Sequence, residues 1–426
     1  MSAVLMFVFL GLMTIGLPIA FAMALAAIAT IANHPTLPFT VFIQRALIGA
    51  DSYSLLAIPF FILAGNIMNV GGITNRIITF ANACVGRFSG GLGLTTVMSC
   101  MVFSGVSGSA VADATALGKV LIPGMKKANY DGGFAASVTA SASVMGPIIP
   151  PSIPLVIYGL SVGKGISVAA LFLGGVIPGL MLGGGLAIVT YLIARKRKYP
   201  IHEAVPLRQL LISAKDAIWA LMMPFVILFG VTGGVVTITE SAAFAVLYAL
   251  FVSMVIHREL DIRKLWGIFI QSGLDSAVVM IIIAFASTFG WLMAVSGLPR
   301  EIAAWIKGVS DNPIVILLLI NGLLLIVGCF MEAIAAMIIL IPVLIPIVQA
   351  AGIDLVHFGL VMVFNLMLGL LTPPVGILLY ICGNFAGVKI EKVVVEVLPF
   401  LAVGLGVLLL ITMFPGLVLW LPSLFM

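Results

Sequence analysis

The chain has 426 residues, 62% of them hydrophobic and only 8% charged, with a mean hydropathy of +1.31 and a formal net charge of +5. A soluble domain is about 45–50% apolar and about 25% charged, so this much apolar surface cannot be hidden around one aqueous core and lipid has to be its solvent. That excludes a soluble enzyme or binding domain and points to an all-α polytopic membrane protein with no nucleic-acid partner.

No Lys or Arg precedes Arg45. A secretory signal needs a basic segment ahead of its apolar stretch, so the N-terminal residues read as a retained span. Apolar runs of about 20 residues cross the hydrocarbon core. They place crossings near 4–31, 51–69, 133–161, 167–194, 217–232, 238–256, 265–296, 355–384 and 397–425. The stretches 70–88 and 297–310, carrying Arg76 and Arg87 in one and Arg300, Glu301 and Lys307 in the other, read as amphipathic arms along the interface. Cys84, Cys100, Cys329 and Cys382 lack CxxC spacing, and His34, His202, His257 and His357 are scattered. Metal hydrolysis and redox chemistry have no foothold in that pattern, and no enzymatic activity is expected.

Two further apolar stretches, 91–123 and 312–348, are interrupted at their centres. The first holds Ser104-Gly105-Val106-Ser107-Gly108-Ser109 and the second Gly328-Cys329-Phe330-Met331-Glu332. Each is either one tilted helix or a re-entrant hairpin whose halves, about 15 residues or roughly 22 Å, are too short to span. Charge decides between them. With a cytoplasmic N-terminus and both stretches re-entrant, 15 of the 20 Lys and Arg fall on the cytoplasmic side, including Arg195-Lys196-Arg197-Lys198. If the first stretch crossed instead, that tetrad would lie outside, against the positive-inside rule. The hairpin topology is expected, with the C-terminus in the periplasm.

A shift of 223 residues superimposes two parts of the chain without a gap. It pairs Gly105 with Gly328, Pro123 with Pro346, Asp131 with Asp354, Gly146 with Gly369, Pro150 with Pro373 and Pro151 with Pro374. The chain therefore divides into a first repeat over 1–194, a basic cytoplasmic linker over 195–216, an unpaired connecting span over 217–232 and a second repeat over 238–426. One unpaired span between the copies gives them opposite orientations, the inverted repeats of many secondary transporters. The linker reads either as a plain connector or as a basic stretch for anionic lipid or a partner.

The Pro-Pro pairs lie in Gly146–Ser152 and Gly369–Val375, each inside a run long enough to cross. Proline removes an amide donor and breaks the helix, and broken backbone is tolerated in a membrane only where protein or a wet cavity receives it. Inverted repeats bring two hairpin tips and two broken helices together near the midplane. At the first, Ser104, Ser107 and Ser109 offer hydroxyls, Gly105 and Gly108 allow close approach, and the break at Gly146, Pro147 and Pro150 frees carbonyls, all hard ligands suited to Na⁺. At the second, Gly328 and Cys329 face a break holding Thr372, Pro373 and Pro374. Two acids lie in the hairpins. Asp113 could pair with Lys119, cap the second half of its hairpin or tune a cation site; Glu332 could coordinate, carry a proton or anchor its tip. Asp131 and Asp354 are placed to cap the helices that follow. No cation lies within 132–163 or 355–388, so an anionic substrate would rely on bound cations and helix dipoles.

Ser107-Gly108-Ser109-Ala110 with Ala112-Asp113, Gly146 through Pro151, Leu371-Thr372-Pro373-Pro374-Val375-Gly376 and Ile58-Pro59-Phe60-Phe61-Ile62-Leu63-Ala64-Gly65 resemble the large membrane subunit of TRAP (tripartite ATP-independent periplasmic) transporters. The resemblance covers essentially the whole chain. It implies a bacterial inner-membrane carrier for Na⁺-driven uptake of an organic acid, such as a C4-dicarboxylate, sialic acid or another sugar acid, by an elevator motion. It implies as partners a small four-helix membrane subunit, expected as a separate polypeptide, and a periplasmic substrate-binding protein. One Na⁺ site would then comprise Ser104, Gly105, Ser107, Gly108, Ser109, Gly146, Pro147 and Pro150, and the other Gly328, Cys329, Met331, Glu332, Gly369, Thr372 and Pro373. Substrate would sit near Ser107, Ser109, Asp113, Pro151, Ser152, Thr372 and Pro374. Met331 and Glu332 replace Gly108 and Ser109, so the second site departs from the first. The rival readings are a stand-alone divalent-anion/Na⁺ symporter of related fold and, further off, an ion channel.

Overall fold

A backbone in hydrocarbon must satisfy its own polar groups, and this chain does so with helices alone among the described residues. The computed structural model describes residues 1–34, 37–163, 166–201, 205–297, 301, 310, 312–373 and 375–426. The first half contains α1 (Ser2–Thr14), α2 (Ile19–Ala32), α3 (Thr40–Ala50), α4 (Ala57–Val70), α5 (Ile73–Val85), α6 (Gly91–Ser107), α7 (Ala110–Lys127), α8 (Gly132–Ser143), α9 (Ile153–Val162) and α10 (Val168–Lys196). The connecting helix α11 (Leu207–Thr232) follows. Then come α12 (Ile238–Phe251), α13 (Ile262–Ser296), α14 (Pro313–Phe330), α15 (Ala333–Ala350), α16 (Leu355–Gly369), α17 (Ile377–Ala386), α18 (Ile390–Met413) and α19 (Gly416–Phe425). Eight helices among the described residues are long and apolar enough to cross a bilayer, which makes this a multi-pass membrane protein.

Several boundaries differ from those expected. The crossing at 4–31 is divided between α1 and α2, because Gly16 turns at φ +84° and Pro18 has no amide to continue the first helix. The run 397–425 is divided in the same way at Pro415. α11 begins at Leu207, so the polar linker is shorter than 195–216. The halves of the interrupted stretches are 17 and 18 residues in the first and 18 each in the second, not 15. Length alone therefore does not stop α14 and α15 from crossing. The arm expected over 70–88 is α5, whereas that over 297–310 falls mainly outside the described residues.

The paired aspartates cap as expected, with the same geometry. Asp131 and Asp354 both sit at φ −62°, ψ 134°, and each side chain accepts from the amides two and three residues on. From these caps run the two broken helices, α8 then α9 and α16 then α17, and they cross between halves. α8 packs on α17, and α9 on α16. Tyr158 Oη donates to the Leu355 carbonyl at 2.8 Å, and its ring fills the place a side chain would take at Gly359. Asn365 Nδ2 donates to Asn321 Oδ1 at 2.9 Å, and Asn321 Nδ2 to Thr412 Oγ1 at 2.8 Å, which joins α14, α16 and α18 by buried hydrogen bonds. Each such bond contributes about 0.6 kcal/mol in a membrane protein. A second group forms where α4 packs on α12 and α13, and α13 also packs on α2 and α3.

Candidate functional site

The first tip is a turn that only glycine adopts easily. Gly108 ends α6 at φ +61°, and Ser109 starts α7 by accepting from the Ala112 amide at 3.4 Å. Ser107 Oγ donates to Asp113 Oδ1 and accepts from the Ser109 amide at 3.2 Å. Asp113 is fully buried, and its Oδ2 has no hydrogen-bond partner. Lys119 is exposed on the far side of the helix and forms no ion pair with it. Of the roles open to Asp113, the geometry therefore shows neither the Lys119 pair nor the cap, which belongs to Ser109.

The first break meets this tip closely. A side chain on Gly146 would stand 2.6 Å from Asp113 Oδ2, and one on Gly108 would stand 2.9 Å from the Pro151 carbonyl oxygen. Ser152 Oγ donates to the Pro147 carbonyl and accepts from the Leu155 amide at 3.2 Å, so it closes the break and starts α9. Two expected ligands have close partners of their own. Ser104 Oγ donates to the Cys100 carbonyl at 2.5 Å in its own helix, and Gly105 abuts Pro224 of α11 while keeping within reach of the Pro150 carbonyl. A buried carboxylate oxygen without a partner is costly. With the Ser107 hydroxyl on its other oxygen, the carboxylate offers hard oxygens of the type that could ligate an alkali cation.

The second tip is built differently. Glu332 occupies the position of Ser109 and caps α15, accepting from the Ala335 amide at 3.0 Å. Anchoring the tip is thus the one of its three candidate roles that the geometry displays. Met331 is extended, at φ −118°, where the first tip has the left-handed Gly108. Cys329 Sγ donates to the Leu325 carbonyl at 3.0 Å within its own helix, and Thr372 Oγ1 donates to the Leu368 carbonyl at 2.9 Å, back onto the end of α16. The tip still touches its break, since a side chain on Gly369 would lie 2.6 Å from Gly328 Cα. Ala336 stands where the first hairpin has Asp113, so the acid at this site is Glu332 at the tip itself. Pro373 is half-buried beside Thr372, and Pro374 lies outside the described residues.

A cavity of about 470 Å³ joins the two halves. Ser107, Gly108, Ser109 and Pro147 line it from the first and Glu332 from the second. Asp113, Pro151, Ser152, Thr372 and Pro373 are not on its wall, so Asp113 lies behind the tip rather than in the chamber. No Lys, Arg or His is among the described lining residues.

Residues 6–417 match the family model of the DctM component of tripartite ATP-independent periplasmic transporters. The chain belongs to this family. It is a family of transport permeases and not of enzymes. The chain is 40% identical over 420 residues to the sialic acid TRAP transporter large permease protein SiaM of Vibrio cholerae, covering 99% of this chain and 98% of that one. It is also 40% identical over 406 residues to the isethionate TRAP transporter permease protein DctMQ of Oleidesulfovibrio alaskensis, covering 95% of this chain and 64% of that longer one. In fold it is similar to the YdaH transporter of Alcanivorax borkumensis, with a TM-score of 0.62 at 15% identity over 89% of this chain and 88% of that one.

Sequence reasoning missed the opposite wall of this permease's cavity. Asn66 and Asn69 on α4 and Gln271 and Asp275 on α13 line it. Asn66 Nδ2 donates to Ser272 Oγ at 2.9 Å and to Asp275 Oδ2 at 3.3 Å, and Gln271 Nε2 donates to Asp275 Oδ1 at 2.9 Å. The signal was available: Asp275 is an acid inside the apolar run 265–296, and intramembrane acids are rarely idle. Asn66 and Gln271 were weaker signals, because uncharged amides in membrane helices commonly serve only as hydrogen-bond partners between helices.

Proposed function

We propose that this DctM-family chain is the large membrane subunit of a Na⁺-coupled importer of a small organic acid, working with a small four-helix membrane subunit and a periplasmic substrate-binding protein. The observation that carries the reading is the orphaned Asp113 Oδ2 between the first tip and the Gly146 break, directly behind the cavity. A cation held there by Asp113, Ser107 and carbonyls of the break would neutralise the carboxylate and lend positive field to an anion on the other side of Ser107. The N-terminus of α7 at Ser109 adds its dipole. With no described cation on the cavity wall, an acid anion depends on those sources, which favours cation-coupled transport over uniport.

The relatives' names support an organic acid as the substrate class. Sialic acid carries a carboxylate and isethionate a sulfonate, so the shared feature is a small acid anion. Among such acids the candidates are a C4-dicarboxylate, sialic acid or another sugar acid. A second Na⁺ would sit between the Gly328–Glu332 tip and the break at Gly369–Pro373, on a weaker ligand set.

The two tip regions, α6–α7 and α14–α15, act as re-entrant hairpins and move with the broken helices α8–α9 and α16–α17. The group of α2, α3, α4, α12 and α13 is the fixed scaffold, and the cavity lies on the sliding face between Ser107–Ser109 and Asn66–Asp275 in an elevator cycle. The positive-inside rule places Arg195–Lys198 in the cytoplasm of a bacterial inner membrane, the N-terminus on the same side and the C-terminus in the periplasm.

Proteoliposomes holding both membrane subunits, supplied with the binding protein, test this. Uptake should fall to background without an inward Na⁺ gradient. Undiminished uptake in Na⁺-free buffer, with no dependence on a proton gradient, would remove the coupling. Full uptake without the binding protein would instead make the chain a stand-alone symporter.

A further inference from the structure

At the end of α10, far along the chain from either tip, lies a cationic pocket outside the proposed transport site. The run Arg195-Lys196-Arg197-Lys198 does not present four equivalent charges. Arg197 is paired with Glu396 at 2.8 Å and lies over the Phe134 ring, so its charge is met. Lys198 adopts φ +54°, and the amide of Tyr199 returns to the Ala194 carbonyl at 3.0 Å, a left-handed turn that folds the chain back at the helix end. The turn sets Lys198 and Arg195 on one concavity with Arg87, from the loop after α5. Tyr191 and the buried Tyr199 form its aromatic wall. Tyr199 is held rigidly, stacked on Tyr130 at 4.3 Å and accepting a hydrogen bond from the Asp131 amide at 3.2 Å.

Three cations thus converge on a pocket with no carboxylate among its described lining residues. None of the three forms an ion pair among the described residues. An apolar approach adjoins them. Ile188 and Leu192, one turn apart on α10 and leading toward Arg195, are exposed at 63% and 56%, and Phe88 and Ile201 flank the pocket at 42% and 67%. Cations and aromatic rings above an exposed aliphatic track match a phospholipid, whose phosphate sits at headgroup level and whose chains run along the helix. A soluble anion would have no use for the track.

We propose that this pocket is a site for an anionic phospholipid, with the phosphodiester among Arg87, Arg195 and Lys198 and an acyl chain along Leu192 and Ile188. The site is independent of the Na⁺ and substrate reading.

The test is native mass spectrometry of the delipidated full-length chain titrated with phosphatidylglycerol, phosphatidylcholine or inorganic phosphate. Wild type should retain phosphatidylglycerol in preference to phosphatidylcholine, and inorganic phosphate should not displace it. The triple variant R87Q/R195Q/K198Q should weaken phosphatidylglycerol binding by at least about tenfold, since each basic residue near a bilayer contributes several-fold to anionic-lipid attraction. The control K127Q/K196Q/R208Q removes the same charge from exposed positions outside the pocket and should bind as wild type does. Both variants should keep the wild-type thermal midpoint. An equal loss in the control would show diffuse attraction and overturn the site. Absence of headgroup preference, or displacement by millimolar phosphate, would overturn the lipid assignment.

Discussion

Ser109 and Glu332 occupy the same position in the two halves of the chain, and each caps the helix that follows its tip in the same way. Ser109 accepts from the Ala112 amide at 3.4 Å and Glu332 from the Ala335 amide at 3.0 Å, three residues on in both cases. The chemistry differs while the backbone task is shared. A serine hydroxyl leaves the first tip neutral, and the acidic function there passes to Asp113 behind it. The second tip carries its acid at the cap itself.

That relationship separates the structural from the electrostatic role of Glu332. Glu332→Gln keeps an acceptor for Ala335, whereas Glu332→Ala removes it, and loss of an N-cap costs about 1 kcal/mol. Glu332→Ala should lower the thermal midpoint in detergent while Glu332→Gln stays close to wild type in stability. If Glu332→Gln transports as poorly as Glu332→Ala, the charge itself is needed and anchoring is not the main role.

Asp113 makes the opposite prediction. Asp113→Asn preserves size and the Ser107 hydrogen bond but removes the formal charge beside Gly146. The Na⁺ concentration giving half-maximal uptake should rise by at least about tenfold, the scale of 1.4 kcal/mol of lost ion attraction, with little change in expression or midpoint. An unchanged Na⁺ titration would mean that no coupled cation depends on this carboxylate.

The close approaches of the breaks to the tips set a packing test. Gly146→Ala would bring a methyl within 2.6 Å of Asp113 Oδ2, and Gly369→Ala within 2.6 Å of Gly328 Cα. Overpacking of this kind costs about 1–3 kcal/mol. Gly124→Ala, at a helical glycine with open space around it, should be neutral or slightly stabilising. Thermal unfolding of the three variants should show two losses and no loss. Equal midpoints would mean that tip and break are not in contact.

A pH effect is expected at the loop before α8. Asp131 is partly buried, which raises its pKa, but the Lys392 ammonium and the amides of Phe134 and Gly133 outweigh burial and hold the carboxyl below its usual value. A depressed folded value means that its contribution is complete above the unfolded value, about 3.9, and is lost as pH falls through the lower, folded one. The wild type should therefore exceed Asp131→Asn in stability by a constant margin between pH 6 and 8, below about 1 kcal/mol for this partly exposed pair. The margin should close only below about pH 4. Unfolding midpoints against pH measure this, and a margin that closes near pH 6 would contradict the assignment.

The sequence by itself determined a membrane protein, its family and the two Pro-Pro breaks. Each of these rests on local chemistry: hydropathy sets the solvent, a Pro-Pro pair beside glycine interrupts its helix where single prolines such as Pro123, Pro178 and Pro224 do not, and Asp131 and Asp354 cap through amides two and three residues away. It also placed the two tips, because the repeat pairs Gly105 with Gly328 and Ser109 with Glu332 whatever the packing. What only the tertiary structure decided is which polar groups meet across long stretches of chain. Asp113 turned out to face Ser107 and Gly146 and not Lys119. The wall of Asn66, Gln271 and Asp275 came to stand opposite Ser107 because α4 and α13 pack there. Of four adjacent cations, Arg197 is neutralised by Glu396 while Arg195 and Lys198 open onto a pocket. Such pairings depend on the direction of each side chain once helices from both halves have packed, and a pattern along one strand of sequence carries no record of that direction.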